Sequence, residues 1–96
     1  MARIKVERLN AEQKQQLRIP PLPHAEGEWF LWECERSEFD WHYSQLEKAY
    51  VYEGLVKVKT SDGEVEIRAG DFVTFPKGLD CRWKIIEPIR KVYKFE

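Results

Sequence analysis

The sequence has few cysteines, few histidines and no long apolar run, and these shortages restrict the classes of protein to which it can belong. The two cysteines, Cys34 and Cys81, are predicted to be free thiols rather than a disulfide, because the compartment expected for this chain is reducing. Residues 1–17 contain no apolar stretch resembling a signal sequence or a membrane span. We therefore expect a cytoplasmic protein without a membrane partner.

An excess of charge of one sign is also missing. Sixteen basic and seventeen acidic side chains leave a net charge of −1. Such a surface provides no long-range field for attracting nucleic acid or an acidic membrane. The sequence thus predicts that neither is a partner.

Aromatic residues, in contrast, are abundant. Four Trp, five Phe and four Tyr favour a sheet-rich protein, and short alternating segments separated by turn residues continue from Glu28 to the end. No repeat or linker interrupts them. The prediction is one all-β domain over residues 1–96, with a strand, helix and Pro-rich arm in 1–28 and a barrel or sandwich in 29–96.

The N-terminal segment contains three local signals. Ile4 and Val6 alternate with polar residues and predict a short strand. Asn10 and Gln13 have the spacing of a capping box before a helix over 11–17. Residues 19–23, Ile-Pro-Pro-Leu-Pro, then predict an extended arm along its own domain, with a polyproline ligand for a partner as the alternative.

A hairpin is predicted around Asp62-Gly63. Alternating segments at 55–61 and 64–69 flank this dipeptide, which suits a two-residue type I′ turn. The corresponding register predicts three cross-strand pairs: Val58 with Ile67, Lys59 with Glu66, and Thr60 with Val65.

Two spacings resemble the signature motifs of the cupin superfamily. Gly70, five residues, Pro76, one residue and Gly78 resemble the second motif, in which a metal-binding His follows at the position of Cys81. Glu47 and Gly54, separated by six residues, resemble the second half of the first motif. Pieces such as Trp-x-Tyr at 41–43, Phe-Pro-Lys-Gly at 75–78 and Cys-x-Trp at 81–83 are similar to the cupin domain of ureidoglycine aminohydrolase.

This resemblance implies a small jelly-roll barrel, usually dimeric, with a ligand site inside its mouth. Family members that bind metal use two His, a Glu and a later His. In one register the two first His positions are Trp41 and Tyr43; in the other they are Asp40 and His42. The second register leaves a metal-dependent alternative with Asp40, His42, Glu47 and Cys81 as ligands.

Hydrophobic burial favours the first register. Turning Phe39, Trp41 and Tyr43 inward removes three rings from water, at about 2–3 kcal/mol each, whereas the opposite register buries Asp40 and His42. The predicted pocket then contains Trp41, Tyr43, Glu47, Cys81 and Trp83, with Lys91 either a counter-charge to Glu47 or solvated. Few of these residues are competent metal ligands, so no metal cofactor is expected.

The predicted function is the binding of a small molecule in this pocket. A metal-independent enzyme would use Glu47, with a pKa raised by burial, as acid or base and Tyr43 as hydroxyl donor. Glu47 bonded to Tyr43 or to a backbone amide is the structural alternative, and Cys81 is a packed thiol rather than a nucleophile. A non-catalytic metabolite-binding or interaction module remains the alternative function.

A homodimer is predicted from the N-terminal strand. The strand around Ile4 and Val6 has no obvious neighbour in the sequence, and an open edge favours pairing with a second copy. Tyr50 and Tyr52 face away from Glu47, so they are candidates for a second apolar layer or for a subunit contact.

Overall fold

The computed structural model describes residues 3–96, most of which form antiparallel strands. Met1 and Ala2, which open the predicted N-terminal segment, lie outside the described residues. No helix within residues 3–96 is long and apolar enough to cross a membrane. The elements follow in chain order: β1 (Lys5–Arg8), α1 (Ala11–Gln16), β2 (Phe30–Cys34), β3 (Ser37–His42), β4 (Glu47–Thr60), β5 (Gly63–Arg68), β6 (Asp71–Phe75) and β7 (Asp80–Phe95).

Two long strands, β4 and β7, connect the halves of the sheet. Residues 47–50 of β4 pair with β6, and residues 55–60 pair with β5. In β7, residues 80–85 pair with β3 and residues 89–93 with β2. The main strand order is β1-β6-β4-β7-β2, and the sheet is open rather than closed. The predicted all-β jelly-roll fold is confirmed.

Gly54 marks a bend within β4. The β4–β7 register shifts at several points between Val51 and Val56, as expected for bulges that bend a strand. A Cβ on Gly54 would lie 2.6 Å from the Pro88 carbonyl oxygen, and its φ is +111°. Pro88 lies within β7 without interrupting it, because it falls where the ladder already skips a pair.

The hairpin between β4 and β5 is present, but its predicted turn is wrong. Thr60 pairs with Gly63, so the two loop residues are Ser61 and Asp62. A type I′ turn requires positive φ at both loop residues, whereas in this hairpin only Gly63 has positive φ, at +129°. The glycine that suggested the turn thus lies immediately after it.

The cross-strand register consequently differs by two residues from the prediction. Because side chains alternate with a period of two, this shift leaves the inward and outward faces unchanged. Lys and Glu still oppose each other across the outer face. The observed pairs are Val56 with Ile67, Lys57 with Glu66, Val58 with Val65, and Lys59 with Glu64.

The N-terminal segment folds against its own sheet. The capping box is confirmed, with the Asn10 side chain accepting from the Gln13 N–H at 2.8 Å and the reciprocal bond at 2.9 Å. The Tyr52 hydroxyl donates to the Pro20 carbonyl, which fixes the predicted arm along its own domain. β1 pairs with β6, Val6 opposite Val73; the assumption that this strand lacks a neighbour is therefore wrong, and the homodimer stays a prediction.

The apolar side chains form two clusters on opposite faces of the sheet. The inner cluster lies inside the jelly roll and includes Tyr43, Val51, Val58, Phe75, Cys81 and Trp83. The outer cluster consists of Trp29, Tyr50, Phe72 and Val92, against which Leu9, Leu17, Ile19, Leu31 and Tyr52 pack. Tyr50 is buried there, so it belongs to the predicted second apolar layer.

Candidate ligand-binding cavity

A cavity of about 160 Å³ lies beside the inner cluster. Two of its nine lining residues are charged, Glu47 and Lys91. The other seven are aromatic: Trp32, Phe39, Trp41, Tyr43, Trp83, Tyr93 and Phe95. Such a wall, largely apolar with few polar groups, is typical of a small-molecule site.

Strand alternation explains how these side chains meet. β7 supplies Trp83, Lys91, Tyr93 and Phe95, which are separated by even numbers of residues and so share one face. Phe39 and Trp41 alternate in the same way along β3. Glu47 opens β4 and is opposite Phe95 across the ladder.

A buried ion pair forms the polar part of the cavity. Lys91 Nζ donates to Glu47 Oε2 at 2.8 Å, and the two side chains are only 6% and 7% exposed. Lys91 is therefore the counter-charge to Glu47 rather than a solvated lysine. Among residues 3–96, Glu47 is hydrogen-bonded neither to Tyr43 nor to a backbone amide, and it is not surrounded by rings alone.

Aromatic rings surround the Lys91 ammonium. Its Nζ lies 5.0 Å from the ring centroids of Trp32 and Trp83, 5.5 Å from Tyr93 and 5.6 Å from Phe75. Ring faces attract a cation within about 6 Å, more strongly where water is excluded. The rings and the carboxylate together stabilise the positive charge at this position.

Two polar groups near the ion pair have hydrogen-bonding capacity that the chain does not fill. Within residues 3–96, the buried Trp83 indole N–H faces the Tyr43 hydroxyl and the Cys81 thiol without making a hydrogen bond of ordinary geometry, and the Tyr43 hydroxyl donates to no group. Burial, followed by the negative charge of Glu47, raises the pKa of Tyr43 well above its usual range, while the Trp83 N–H, which faces the hydroxyl oxygen, lowers it. Tyr43 is consequently a neutral hydroxyl that can donate into the cavity.

Cys81 is the one predicted pocket residue that does not line the cavity. Its Sγ points toward the Trp41 carbonyl oxygen at 3.6 Å. Burial, with a smaller contribution from neighbouring acidic groups, raises the pKa of this thiol to about 11. Cys81 and Cys34 are both free, and Cys81 is a packed thiol without the adjacent base that a nucleophile needs.

The favoured register of the 39–43 segment is the one present, with one correction. Asp40 and His42 are exposed on the other face, where Asp40 pairs with Arg82 at 2.9 Å and His42 with Asp80 at 2.7 Å. Tyr43 is buried, as expected. Trp41, however, is 53% exposed, because it lies at the cavity opening rather than in the core.

The residues at the positions of the cupin metal ligands do not form a metal site in this structure. In the metal-dependent alternative, Asp40 and His42 point away from Glu47. In the other register Glu47 is bound by Lys91, and the Cys81 thiol keeps its proton at neutral pH. No group of three or more His, Cys, Asp and Glu side chains that could hold a metal is found in residues 3–96.

Four lining residues were absent from the predicted pocket: Trp32, Phe39, Tyr93 and Phe95. Tyr93 and Phe95 could have been predicted as lining residues because they share a strand face with Lys91. Phe39 could have been predicted because it alternates with Trp41. Trp32 is brought in by β2 pairing with β7, opposite Lys91. A pairing between distant strands has no local signal in the sequence.

Comparison with known families gives a match over most of the chain. Residues 23–93 match the family described as the EutQ-like cupin domain. The chain belongs to the EutQ-like cupin family. No curated protein shows a significant match to it.

Solved structures agree with this cupin assignment. A DUF861 family protein from Thermotoga maritima is 44% identical, with 98% of this chain and 100% of that chain covered and a TM-score of 0.87. The Clostridium difficile EutQ protein is 23% identical, over 68% of this cupin chain and 52% of its own, with a TM-score of 0.62. A putative ethanolamine utilization protein Q from Salmonella typhimurium is 20% identical over 94% and 66%, also at 0.62. The last two likenesses concern the fold alone.

Proposed function

We propose that this cupin binds a small organic molecule in the aromatic cavity, anchored by the ion pair of Lys91 and Glu47. The observation that carries the proposal is a buried ion pair that lines a cavity. Five of the six residues predicted for the pocket line it, namely Trp41, Tyr43, Glu47, Trp83 and Lys91.

The physical argument is that a buried ion pair is a poor way to stabilise a fold. Removing two charges from water costs about as much as their attraction returns, and apolar replacements are often neutral or stabilising by about 1–4 kcal/mol. Lys91 and Glu47 are side by side in an otherwise apolar interior. We therefore infer that the charges of Lys91 and Glu47 bind a ligand rather than stabilise the packing.

A screen of neutral and charged metabolites by thermal shift tests the proposal. A ligand at 100 times its dissociation constant adds about 2.7 kcal/mol of stability. We expect ligands that stabilise the wild type and Lys94→Met, a control on the same strand, but not Lys91→Met/Glu47→Met. Ligands that stabilise this double variant equally, or a screen without any ligand, would contradict the proposal.

Acid–base catalysis on the bound molecule is a second candidate. Glu47 Oε2 accepts from Lys91, and Oε1 has no hydrogen bond within residues 3–96, so it is available to accept a proton from a ligand. Tyr43, which also lines the cavity, would donate from its hydroxyl. Glu47→Gln distinguishes the candidates: an enzyme loses turnover while keeping its ligand, whereas a binding module has no turnover to lose.

A further inference from the structure

The shape of the cavity fits a small flat group of its ligand. An apolar protein cavity of about 150 Å³ holds benzene, and this one has a volume of about 160 Å³. Seven of its nine lining residues are aromatic, and aromatic faces and edges pack best against another planar group. Trp41 and Phe95 are the most exposed of them, at 53% and 49%, and mark the opening through which part of a ligand can extend.

The charges of the cavity favour a neutral ligand. Lys91 and Glu47 are the two ionisable groups of opposite sign in the lining, and they already neutralise each other at 2.8 Å. A ligand with a net charge would leave one charge uncompensated among aromatic rings, which is unfavourable in an apolar surrounding. A neutral polar group avoids that penalty.

The unused hydrogen-bonding capacity has a defined pattern. A lysine ammonium has three N–H donors, and one of them is used by Glu47 Oε2. Within the described part of the chain, Glu47 Oε1 has no hydrogen bond, and the Tyr43 hydroxyl, whose oxygen faces the Trp83 N–H, donates to no group. The cavity thus combines donors, on Tyr43 and Lys91, with one carboxylate acceptor.

We propose that the cavity recognises a neutral planar carboxamide; this inference rests on the proposed function. The two lone pairs of the amide oxygen accept from the Tyr43 hydroxyl and the Lys91 ammonium, and an amide N–H donates to Glu47 Oε1. The rest of the molecule is a flat apolar group that packs among the rings. A carboxylate lacks the N–H for Glu47, and an ammonium lacks the acceptor for Tyr43 and Lys91.

Four compounds with one common ring test this class. Benzamide, benzoate, benzylamine and toluene differ in charge and in hydrogen-bonding groups, and their affinities for the full chain are measured by calorimetry. Benzamide is expected to bind at least about tenfold more tightly than each of the others, because an unmatched buried donor or acceptor is costly. Tyr43→Phe is expected to weaken benzamide about fivefold while Lys94→Met leaves it unchanged.

Every other result would contradict the proposal that the cavity recognises a carboxamide. Tightest binding by benzoate or benzylamine would show that net charge is selected, and would leave the proposed function standing. Equal binding of toluene and benzamide would show that the polar groups are not used. If none of the four binds at millimolar concentration, the carboxamide class is wrong, and the metabolite screen separately decides whether the cavity binds any ligand. Unchanged benzamide affinity in Tyr43→Phe would also contradict the proposal.

Discussion

The inner and outer clusters are both aromatic-rich and buried, but the polar groups of their side chains differ in hydrogen bonding. In the outer cluster the Trp29 indole N–H donates to the Leu17 carbonyl at 3.3 Å, and the Tyr52 hydroxyl donates to the Pro20 carbonyl. In the inner cluster the Trp83 indole N–H faces the Tyr43 hydroxyl and the Cys81 thiol without a hydrogen bond of ordinary geometry, and the Tyr43 hydroxyl donates to no group within residues 3–96. The inner cluster also contacts a buried ion pair.

This difference separates a scaffold from a candidate site. The outer cluster attaches the N-terminal segment to the sheet, and its polar atoms are satisfied by the chain itself, as in most protein interiors. The inner cluster leaves hydrogen-bonding capacity unfilled next to a cavity, a pattern that calls for an explanation in a native fold. A ligand that completes those bonds provides one.

The largest effect is expected for Lys91→Met, which leaves Glu47 without its partner. Breaking a buried ion pair by removing one member costs about 3–5 kcal/mol of unfolding free energy. The control is Lys94→Met on the same strand: Lys94 is 5.1 Å from the Trp29 ring and 3.5 Å from a carboxylate oxygen of the exposed Glu28, so a loss below about 1 kcal/mol is expected. Urea denaturation of both variants measures the contrast, and equal losses would remove the distinction between the clusters.

A large difference in reactivity is expected between the two thiols. With a pKa of about 11, about 1% of Cys81 is ionised at pH 9, and alkylation requires the thiolate. Its rate in the folded protein should therefore rise about tenfold per pH unit from 8 to 10. Cys34, which is partly exposed, should be labelled first. Mass spectrometry of iodoacetamide-treated protein measures both rates, and fast labelling of Cys81 at pH 8 would contradict its description as a packed thiol.

A smaller effect should separate two tyrosines that differ in one hydrogen bond. Tyr52→Phe removes the bond to the Pro20 carbonyl and should destabilise the protein by about 1 kcal/mol. Tyr43→Phe removes a hydroxyl whose proton has no acceptor in the described chain, so the unfolding free energy of this variant should be unchanged or slightly higher. The reverse order in chemical denaturation would mean that the inner hydroxyl is satisfied without a ligand.

The smallest expected effect concerns metal. Because the donors near Glu47 do not form a ligand set, the protein purified without chelator should hold no stoichiometric transition metal, and EDTA should leave its melting temperature unchanged. Elemental analysis provides the measurement, with His42→Ala as the comparison. One equivalent of zinc, iron or nickel that is lost in His42→Ala would instead favour the alternative with Asp40, His42, Glu47 and Cys81.

Much of the fold was predictable because its signals are local. The capping box at Asn10, the alternation in the 39–43 segment and the two cupin-like spacings each lie within a few residues of sequence. The same alternation predicted that Asp40 and His42 lie outside the pocket. The wrong turn and register of the hairpin also had a local cause. A glycine with positive φ, such as Gly63, is found both within a turn and at the position that follows it.

The cavity was less predictable because its parts come from distant strands. The sequence left the contact of Lys91 with Glu47 open, since the two residues meet only through the pairing of β4 with β7. Trp32 reaches the ammonium through a further pairing, that of β2 with β7. Cys81 was placed in the pocket by the spacing of a motif, but its own side chain points toward the Trp41 carbonyl instead.

The central claim is that the pair of Lys91 and Glu47 is kept for a ligand and not for stability. The most direct test is the unfolding free energy of Lys91→Met/Glu47→Met, measured without ligand against the wild type. The double variant should be at least as stable as the wild type, since apolar side chains of similar volume replace both charges. A loss close to the roughly 3–5 kcal/mol expected for Lys91→Met alone would show that the pair holds the fold together, and would contradict the claim.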